Sequence, residues 1–449
     1  MKKYYIDRIE DLNQMRIIST IQDYQTSEIP KLMKYWHYYQ GRQKILQRVY
    51  TDPNKPNNRI VTNFCYSIVQ NFLGYISGIP IQYENGDENL NDVLNYNDYI
   101  SEDSDLLKDA LIFGEAYEVE YIDADSKIRF KKFDPRECIP IYSSDLDENL
   151  LAVIRFYKVD PIEKIAPEAT WKVEVYYDEK TDYYISGPGF ASLNFIETKP
   201  NYFNQVPVTP FEIEDCIFRQ IMDLQDAYNS ILSDSLDDFD AFADAYLMLK
   251  GMSGTTAEDI QQMKQDKVLL LDEDGDAQYL VKSMANAETQ QRLDNIEKRI
   301  YMIANCVNFY DTDFISAASS GTALRYRLMG QENKAASIVS QMTKALQRRV
   351  ELIYSILSMT DGESLWRDVE INFTRNIPDL TTPQTPQEII AYRNFVSDRT
   401  LLSLLPFVKD PEQEMEEVKA QMANSLSLYS FPEPEEEVTE DDERTEENQ

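Results

Sequence analysis

The residues in this sequence whose types and spacing could do chemistry are carboxylates. Asp123 with Asp125, Asp237-Asp238 with Asp240, Asp272-Glu273-Asp274-Gly275-Asp276, and Asp311 with Asp313 each bring acids close enough to hold a divalent ion. Nucleases use such pairs to clamp two ions about 4 Å apart. The 272–276 run lacks the spacing and the trailing Glu of a calcium loop, so it reads as a solvated hairpin turn. Asp237, Asp238 and Asp240 read as the polar side of a helix. His37 is the one histidine, set in Tyr35-Trp36-His37-Tyr38-Tyr39, and with no partner motif it reads as a half-buried structural residue, not a general base. No G-x-x-x-x-G-K-[ST] occurs, which argues against an ATPase motor. Cys65, Cys138, Cys216 and Cys306 stand 73, 78 and 90 residues apart, a pattern of neither zinc ligands nor disulfides, so reduced buried thiols are expected. The expectation is therefore no catalytic residue, no metal ligand and no cofactor.

Charge narrows the partners. Lys plus Arg number 44 and Asp plus Glu 79, a formal charge of −35 over 449 residues. A protein that grips nucleic acid by neutralising phosphates needs a basic face, and this balance argues against one. Residues Glu433 to Gln449 hold ten acids and one Arg with almost no apolar side chain, too little burial to offset the entropy of ordering. That tail is expected to be disordered. The amino terminus has no apolar leader core, and no stretch reaches the roughly 18 uninterrupted apolar residues of a membrane span. A soluble, cytosolic protein with no membrane partner is expected, with two to four domains at roughly 100–200 residues each.

The elements that must position these residues follow from periodicity. Helices are expected over Glu28 to Arg48 and from Val61 to Gly78. Tyr117 to Ile122 and Ile128 to Phe133 flank Asp123-Ala124-Asp125-Ser126, a hairpin signal, and Leu151 to Tyr157 and Trp171 to Tyr177 read as further strands. Ile221, Leu224, Tyr228, Leu232, Phe239, Tyr246 and Leu249 keep a helical period for a span of roughly 45 Å. An insert after Gly251 carries a short helix and a hairpin of Val268 to Leu271 with Ala277 to Val281. Leu293 to Val307 and Leu324 to Leu357 form two more helical stripes, the second long enough to need packing partners along its whole face. Ser316-Ala317-Ala318-Ser319-Ser320-Gly321 between them reads equally as a mobile loop or as a plain connector. Thr385-Pro386 and Asp410-Pro411 start short helices near the end.

Taken in order, these segments resemble the portal proteins of tailed bacteriophages, the family found in long-tailed phages of Gram-positive bacteria. Asn63 to Val69 with Gly74 to Pro80, Ala110 to Glu118 with Phe133 to Glu137, Asp226 to Asn229 with Phe239 to Leu249, and Ser320 to Leu328 carry the resemblance. It implies an α+β, mainly helical fold with wing, stem, clip and crown regions and long stem helices around a central channel. It places the wing at 28–216, the stem helix at 217–250, the clip at 251–287 and a second stem helix at 288–308. A tunnel loop follows at 309–321, a long wing helix and return strand at 322–376, crown helices at 377–425 and the acidic tail at 426–449.

The same resemblance implies a homo-dodecamer ring at one capsid vertex of the virion, assembled in the host cytoplasm. Double-stranded DNA would pass through it without tight binding. Terminase large subunit, a head-completion or neck adaptor protein, and major capsid and scaffolding proteins are the implied partners. The DNA-facing candidates are Ser316, Ala317, Ala318, Ser319 and Ser320; the docking candidates are Lys264, Lys267, Asp272 and Asp274. An acidic wall suits a conduit, because phosphate binding would hold the polyanion in place. Two other readings differ in class. A metal-dependent phage nuclease or head-maturation enzyme would use the Asp clusters, and a helical adaptor would stay monomeric.

Overall fold

Asn13 and Asn63 begin the helical layer by capping: each side-chain oxygen accepts an amide three residues on, from Arg16 at 3.0 Å and from Tyr66 at 3.2 Å. The computed structural model describes residues 2–52, 55–159, 170–243, 247–250, 256, 276–279, 286–309, 321–361, 366–377, 396–403 and 411–428. These fall into two units, 1–317 with 325–377, and 318–324 with 378–449.

In the larger unit, helices α1 (Gln14–Ser27), α2 (Ile29–Tyr39), α3 (Phe64–Ser77), α4 (Glu88–Tyr96) and α5 (Tyr99–Phe113) precede most of the strands. The helix expected over Glu28 to Arg48 stops at Tyr39. Gly41 has φ +78°, a left-handed turn that a helix cannot continue through, and a separate 3-10 turn spans Lys44–Gln47. A six-stranded sheet has the order β1 (Tyr4–Ile6), β5 (Cys138–Ser143), β6 (Leu150–Val159), β7 (Thr170–Tyr176), β8 (Lys180–Ser186), β9 (Leu193–Pro200). β1 runs parallel to β5 and the remaining pairs are antiparallel. A second sheet places β3 (Glu115–Ile122) between β10 (Val208–Glu212) and β4 (Ile128–Phe133). The expected hairpin is this β3–β4 pair, in register from Tyr117 with Phe133 to Ile122 with Ile128. Short β2 (Gln82–Glu84) pairs with β13 (Glu370–Asn372).

Gly114 joins α5 to β3 at φ +87°, and a Cβ there would lie 3.0 Å from the Cys216 amide nitrogen. Its carbonyl accepts the Ile213 amide, so helix, sheet and the run into the next helix meet at this residue.

The second half is helical. α6 spans Met222–Ala243, α7 Asn286–Ala304 and α8 Gly321–Asp361, which is 41 residues. The continuous helix expected over 217–250 is thus shorter. Leu247–Lys250 is a strand, β11, paired antiparallel with β12 (Asp276–Tyr279). Leu249 also fits the helical period, but a short apolar run fits either period, and here a strand partner from 276–279 decides; Tyr246 lies outside the described residues. Ala335, Ile338, Met342, Ala345 and Leu346 of α8 join the main core with α3, α5 and the large sheet, and Val350, Ile353 and Tyr354 join a second cluster with α4 and β4.

In the smaller unit, α9 (Asp398–Ser403) and α10 (Pro411–Leu428) pack together, with Leu401 buried and Arg399 paired to Glu412 at 2.9 Å. Pro411 is the first helical residue, as its fixed φ favours. α10 reaches Leu428, so its last three residues fall within the segment 426–449 expected as the acidic tail. The Thr385-Pro386 helix start and residues 429–449 lie outside the described residues.

Candidate functional site

α6 is held by an unusual polar stripe. Gln225, Asn229, Ser233 and Asp237 are buried, although Leu224, Tyr228 and Leu232 of the expected apolar stripe are only half-buried. Their oxygens accept backbone amides from every second residue of the extended run before α3: Gln225 from Phe64 at 3.0 Å, Asn229 from Thr62 at 2.9 Å, Ser233 from Ile60 at 3.0 Å and Asp237 from Asn58 at 2.6 Å. Four residues of helix rise about 6 Å, and two residues of extended chain advance about 6.6 Å, so the two repeats stay in step. Continued at the same spacing, the next residue of the extended run is Pro56, which has no N–H, and the next on α6 is Ala241, a residue type with no acceptor; four residues before Gln225 stands Ile221. Asn229 also donates to Gln43 Oε1, and Gln43 donates to Asn63 Oδ1 at 3.1 Å. Arg48 closes the far end, reaching Asp234 at 2.5 Å and Asp237 at 2.6 Å.

Asp237 is therefore not on a solvated helix side, because an extended chain lies against it. The signal was present in the sequence as Gln, Asn, Ser and Asp at strict four-residue spacing. Asp123 is also committed to local structure: its Oδ1 accepts the amides of Asp125 and Lys127, both at 2.9 Å, which shapes the β3–β4 turn. No group of three or more metal-ligating side chains occurs among the described residues.

α8 is fixed by two charge clusters. Arg349 is 0% exposed, between Asp103 of α5 and Glu118 of β3. Its Nε and Nη2 donate to the two oxygens of Glu118 at 2.5 and 2.7 Å. Its Nη1 donates to Asp103 and to the Tyr83 hydroxyl, and the Tyr83 hydroxyl donates to Asp103 at 2.9 Å. The second cluster joins Tyr75 of α3, Glu332 of α8 and Arg375: the Tyr75 hydroxyl donates to Glu332 at 2.6 Å and Arg375 Nε at 3.0 Å. Burial acts against ionisation of Glu332, yet Arg375 and Tyr75 hold it below the usual carboxylate range.

The chain entering residues 310–320 is anchored on its near side. The Val307 amide donates to Gln331 Oε1 at 2.9 Å, and Asn308 donates to Glu297 at 3.0 Å. Lys334 reaches the carbonyls of Ile217 and Ala304, both at 3.3 Å, where α7 ends, and burial lowers its pKa. It sits on a cleft of about 750 Å³ that Asp215, Arg219, Asn305 and Gln341 also line.

β3 keeps protons. Burial pushes Glu115 and Glu120 up to about 8. An unfolded Glu ionises near 4.5, so between about 4.5 and 8 the folded chain holds protons that the unfolded chain has released. The stability these groups contribute is full below that window, falls by about 1.4 kcal/mol per pH unit per proton as pH rises through it, and is lost above it. Glu115→Gln should flatten this alkaline fall. Urea unfolding at several pH values between 5 and 9 checks it, and an unchanged slope would mean that Glu115 is ionised when folded.

All four cysteines are free and buried. Ser316, Ala317, Ala318, Ser319 and Ser320, and likewise Lys264, Lys267, Asp272 and Asp274, lie outside the described residues, as do Asp311 and Asp313. Described elements border both groups: α6 with β11 and α7 on either side of the insert, and Phe309 and α8 on either side of the loop.

A family model described as phage portal protein, SPP1 Gp6-like, matches residues 18–426. The portal protein of Bacillus phage SPP1 is 22% identical over 431 residues, covering 88% of this chain and 81% of the relative. The portal protein of Clostridium phage phiCD119 is 23% identical over 437 residues, covering 88% and 94%. Among solved structures, a chain from the neck of an empty GTA particle aligns with a TM-score of 0.38 and 13% identity, covering 76% of this chain and 89% of that one.

Proposed function

The chain belongs to the phage portal protein family, SPP1 Gp6-like, and from that membership we propose that its copies close into a homo-dodecamer ring at one vertex of the capsid. The match across residues 18–426 carries this reading. Its function is that of a phage portal protein, a virion component, and among the described residues no helix is long and apolar enough to cross a membrane. The family is structural, and this chain is read as having no enzymatic activity of its own.

In this reading α6 and α7 form the stem, residues 251–287 the clip, the segments 28–216 and 322–376 the wing, and 377–425 the crown. DNA enters and leaves through the channel past the loop 309–321, with Ser316, Ala317, Ala318, Ser319 and Ser320 facing it. Terminase and later the neck adaptor dock at the clip, where Lys264, Lys267, Asp272 and Asp274 are the candidates. Capsid and scaffolding proteins meet the outside during assembly in the host cytoplasm. The acidic balance supports a conduit, since a wall without clustered cations leaves DNA free to slide. The fixed chain at Val307 and Asn308 supports a loop with a firm base.

Negative-stain images of the purified protein should show an annulus with a central hole. Ala317→Trp or Ser319→Trp should cut DNA packaging several-fold while ring assembly is unchanged. Normal packaging in both variants would remove the loop from the channel.

A further inference from the structure

Positive charge is unevenly placed along this acidic chain. From Ile29 to Tyr83 there are seven Lys or Arg and one acid, Asp52. Two of the seven already face carboxylates: Lys31 lies 3.7 Å from Glu28, and Arg48 holds Asp234 and Asp237. Lys34, Arg42, Lys44, Lys55 and Arg59 are exposed, and none of them makes an ion pair among the described residues.

Folding gathers four of these five around one turn. The Arg42 amide donates to the His37 carbonyl at 2.8 Å, which carries the chain from the end of α2 into the 3-10 turn Lys44–Gln47. Arg48 Nη2 donates to the Asn58 carbonyl at 2.6 Å and its Nε to Asn57 Oδ1 at 3.1 Å, so the chain doubles back on itself. The returning Arg59 donates to the Leu46 carbonyl at 3.2 Å. Lys55 Nζ and the Arg48 guanidinium lie 4.0 and 4.9 Å from the centre of the Tyr50 ring. Among these cations Leu46 and Val49 are exposed, Val49 at 79%. Beside them, a cleft of about 540 Å³ is lined by Lys44, Ile45 and Gln47 of the turn and by Asp226, Ala227 and Ser230 of α6.

A cationic surface with exposed aliphatic side chains fits a carboxylate-rich protein better than a nucleic acid. Phosphates gain nothing from Leu46 or Val49. Duplex DNA also carries one charge per about 1.7 Å of its axis, and the exposed α6 acids Asp234, Asp238 and Asp240 border the turn. Asp234 reaches Arg48, and Asp240 accepts the Asn58 side-chain amide at 2.7 Å. With a screening length of about 8 Å at physiological salt, those acids oppose a long polyanion laid across the turn. A single extended segment is narrow enough to keep to the cations, and an apolar side chain on it covers Leu46 and Val49.

We propose that residues 42–50 with 55–59 dock an acidic segment of a partner protein, its carboxylates on Arg42, Lys44, Lys55 and Arg59 and an apolar side chain on Leu46 and Val49. The site goes beyond the channel function and does not depend on closure of the ring. Charge complementarity speeds the encounter and selects the partner, and the apolar contact slows its release.

The test is fluorescence anisotropy of a short labelled peptide of alternating Glu and Leu, titrated with the full chain. Arg42→Glu combined with Lys44→Glu should weaken its binding by about tenfold or more. Neither side chain makes a hydrogen bond among the described residues, so the fold is expected to stay, and circular dichroism checks it. Val49→Asp should weaken binding several-fold, whereas Lys127→Glu, an exposed cation on the β3–β4 turn, should leave it unchanged. A peptide with Gln for every Glu should bind about tenfold more weakly, and added salt should close that gap. The inference is overturned if the Glu peptide does not bind, or if the double reversal binds it like the wild type. It is also overturned if duplex DNA binds more tightly than the peptide and loses that binding in the double reversal, which makes the turn a nucleic-acid face. A double reversal with native circular dichroism but a lower light-scattering mass than the wild type overturns it too, because the turn is then a contact between copies.

Discussion

Arg349→Leu is expected to lower the unfolding free energy by about 3–5 kcal/mol, because it leaves two carboxylates buried without their cation. Asp103 and Glu118 are almost wholly buried, and Phe130 lies against the guanidinium at 4.3 Å, so water has no easy route to replace the charge. Protonating the carboxylates offsets part of the cost, which makes the variant lose more at pH 8 than at pH 5. Urea unfolding followed by far-ultraviolet circular dichroism, at fixed protein concentration, measures both effects. Replacing Arg349, Asp103 and Glu118 together by Met, Leu and Leu should recover most of the loss, since an apolar cluster of like volume avoids the desolvation cost altogether. A single-variant loss below about 1 kcal/mol would put the cluster energetically with exposed ion pairs. The consequence reaches assembly, because this cluster ties α8 to α5 and β3.

Asn229→Leu has the second largest expected effect, about 3–4 kcal/mol. It strands two buried groups, the Thr62 amide and Gln43 Oε1, at about 1–3 kcal/mol each. Hydrogen exchange gives the sharper readout. The amides of Ile60, Thr62 and Phe64 should lose protection together, because one broken rung lets the extended run lift from α6. Protection lost at Thr62 alone would show that the rungs act singly. Adding Gln43→Leu should return about 1 kcal/mol by removing one of the stranded acceptors.

These two clusters show where the sequence was legible and where it was not. The β3–β4 hairpin was readable because alternation and turn residues are local, and Asp123 makes the turn with amides two and four residues away. α8 was readable because its apolar residues recur at helical spacing, and Pro411 marked a helix start for a reason contained in its own ring. Arg349 lies on the same buried arc as Met342, Ala345 and Leu346, yet Arg348-Arg349 reads as surface. Its acceptors are 246 and 231 residues away, and only chain folding brings them there. The end of α6 was misplaced for the same reason, since Leu247–Lys250 is a strand on account of a partner at 276–279.

By itself the sequence determined the family, the α+β element set, the absence of nucleotide and metal motifs, and an acidity that suits a conduit better than a gripping protein. Tertiary structure alone decided which polar residues are buried: Gln225, Asn229, Ser233 and Asp237 against an extended run, Arg349 between two acids, Glu115 and Glu120 with their protons. The physical reason is that spacing encodes which side chains share a face, but not what that face meets. A polar group stays buried only when a partner arrives to satisfy it, and here most of those partners come from far along the chain.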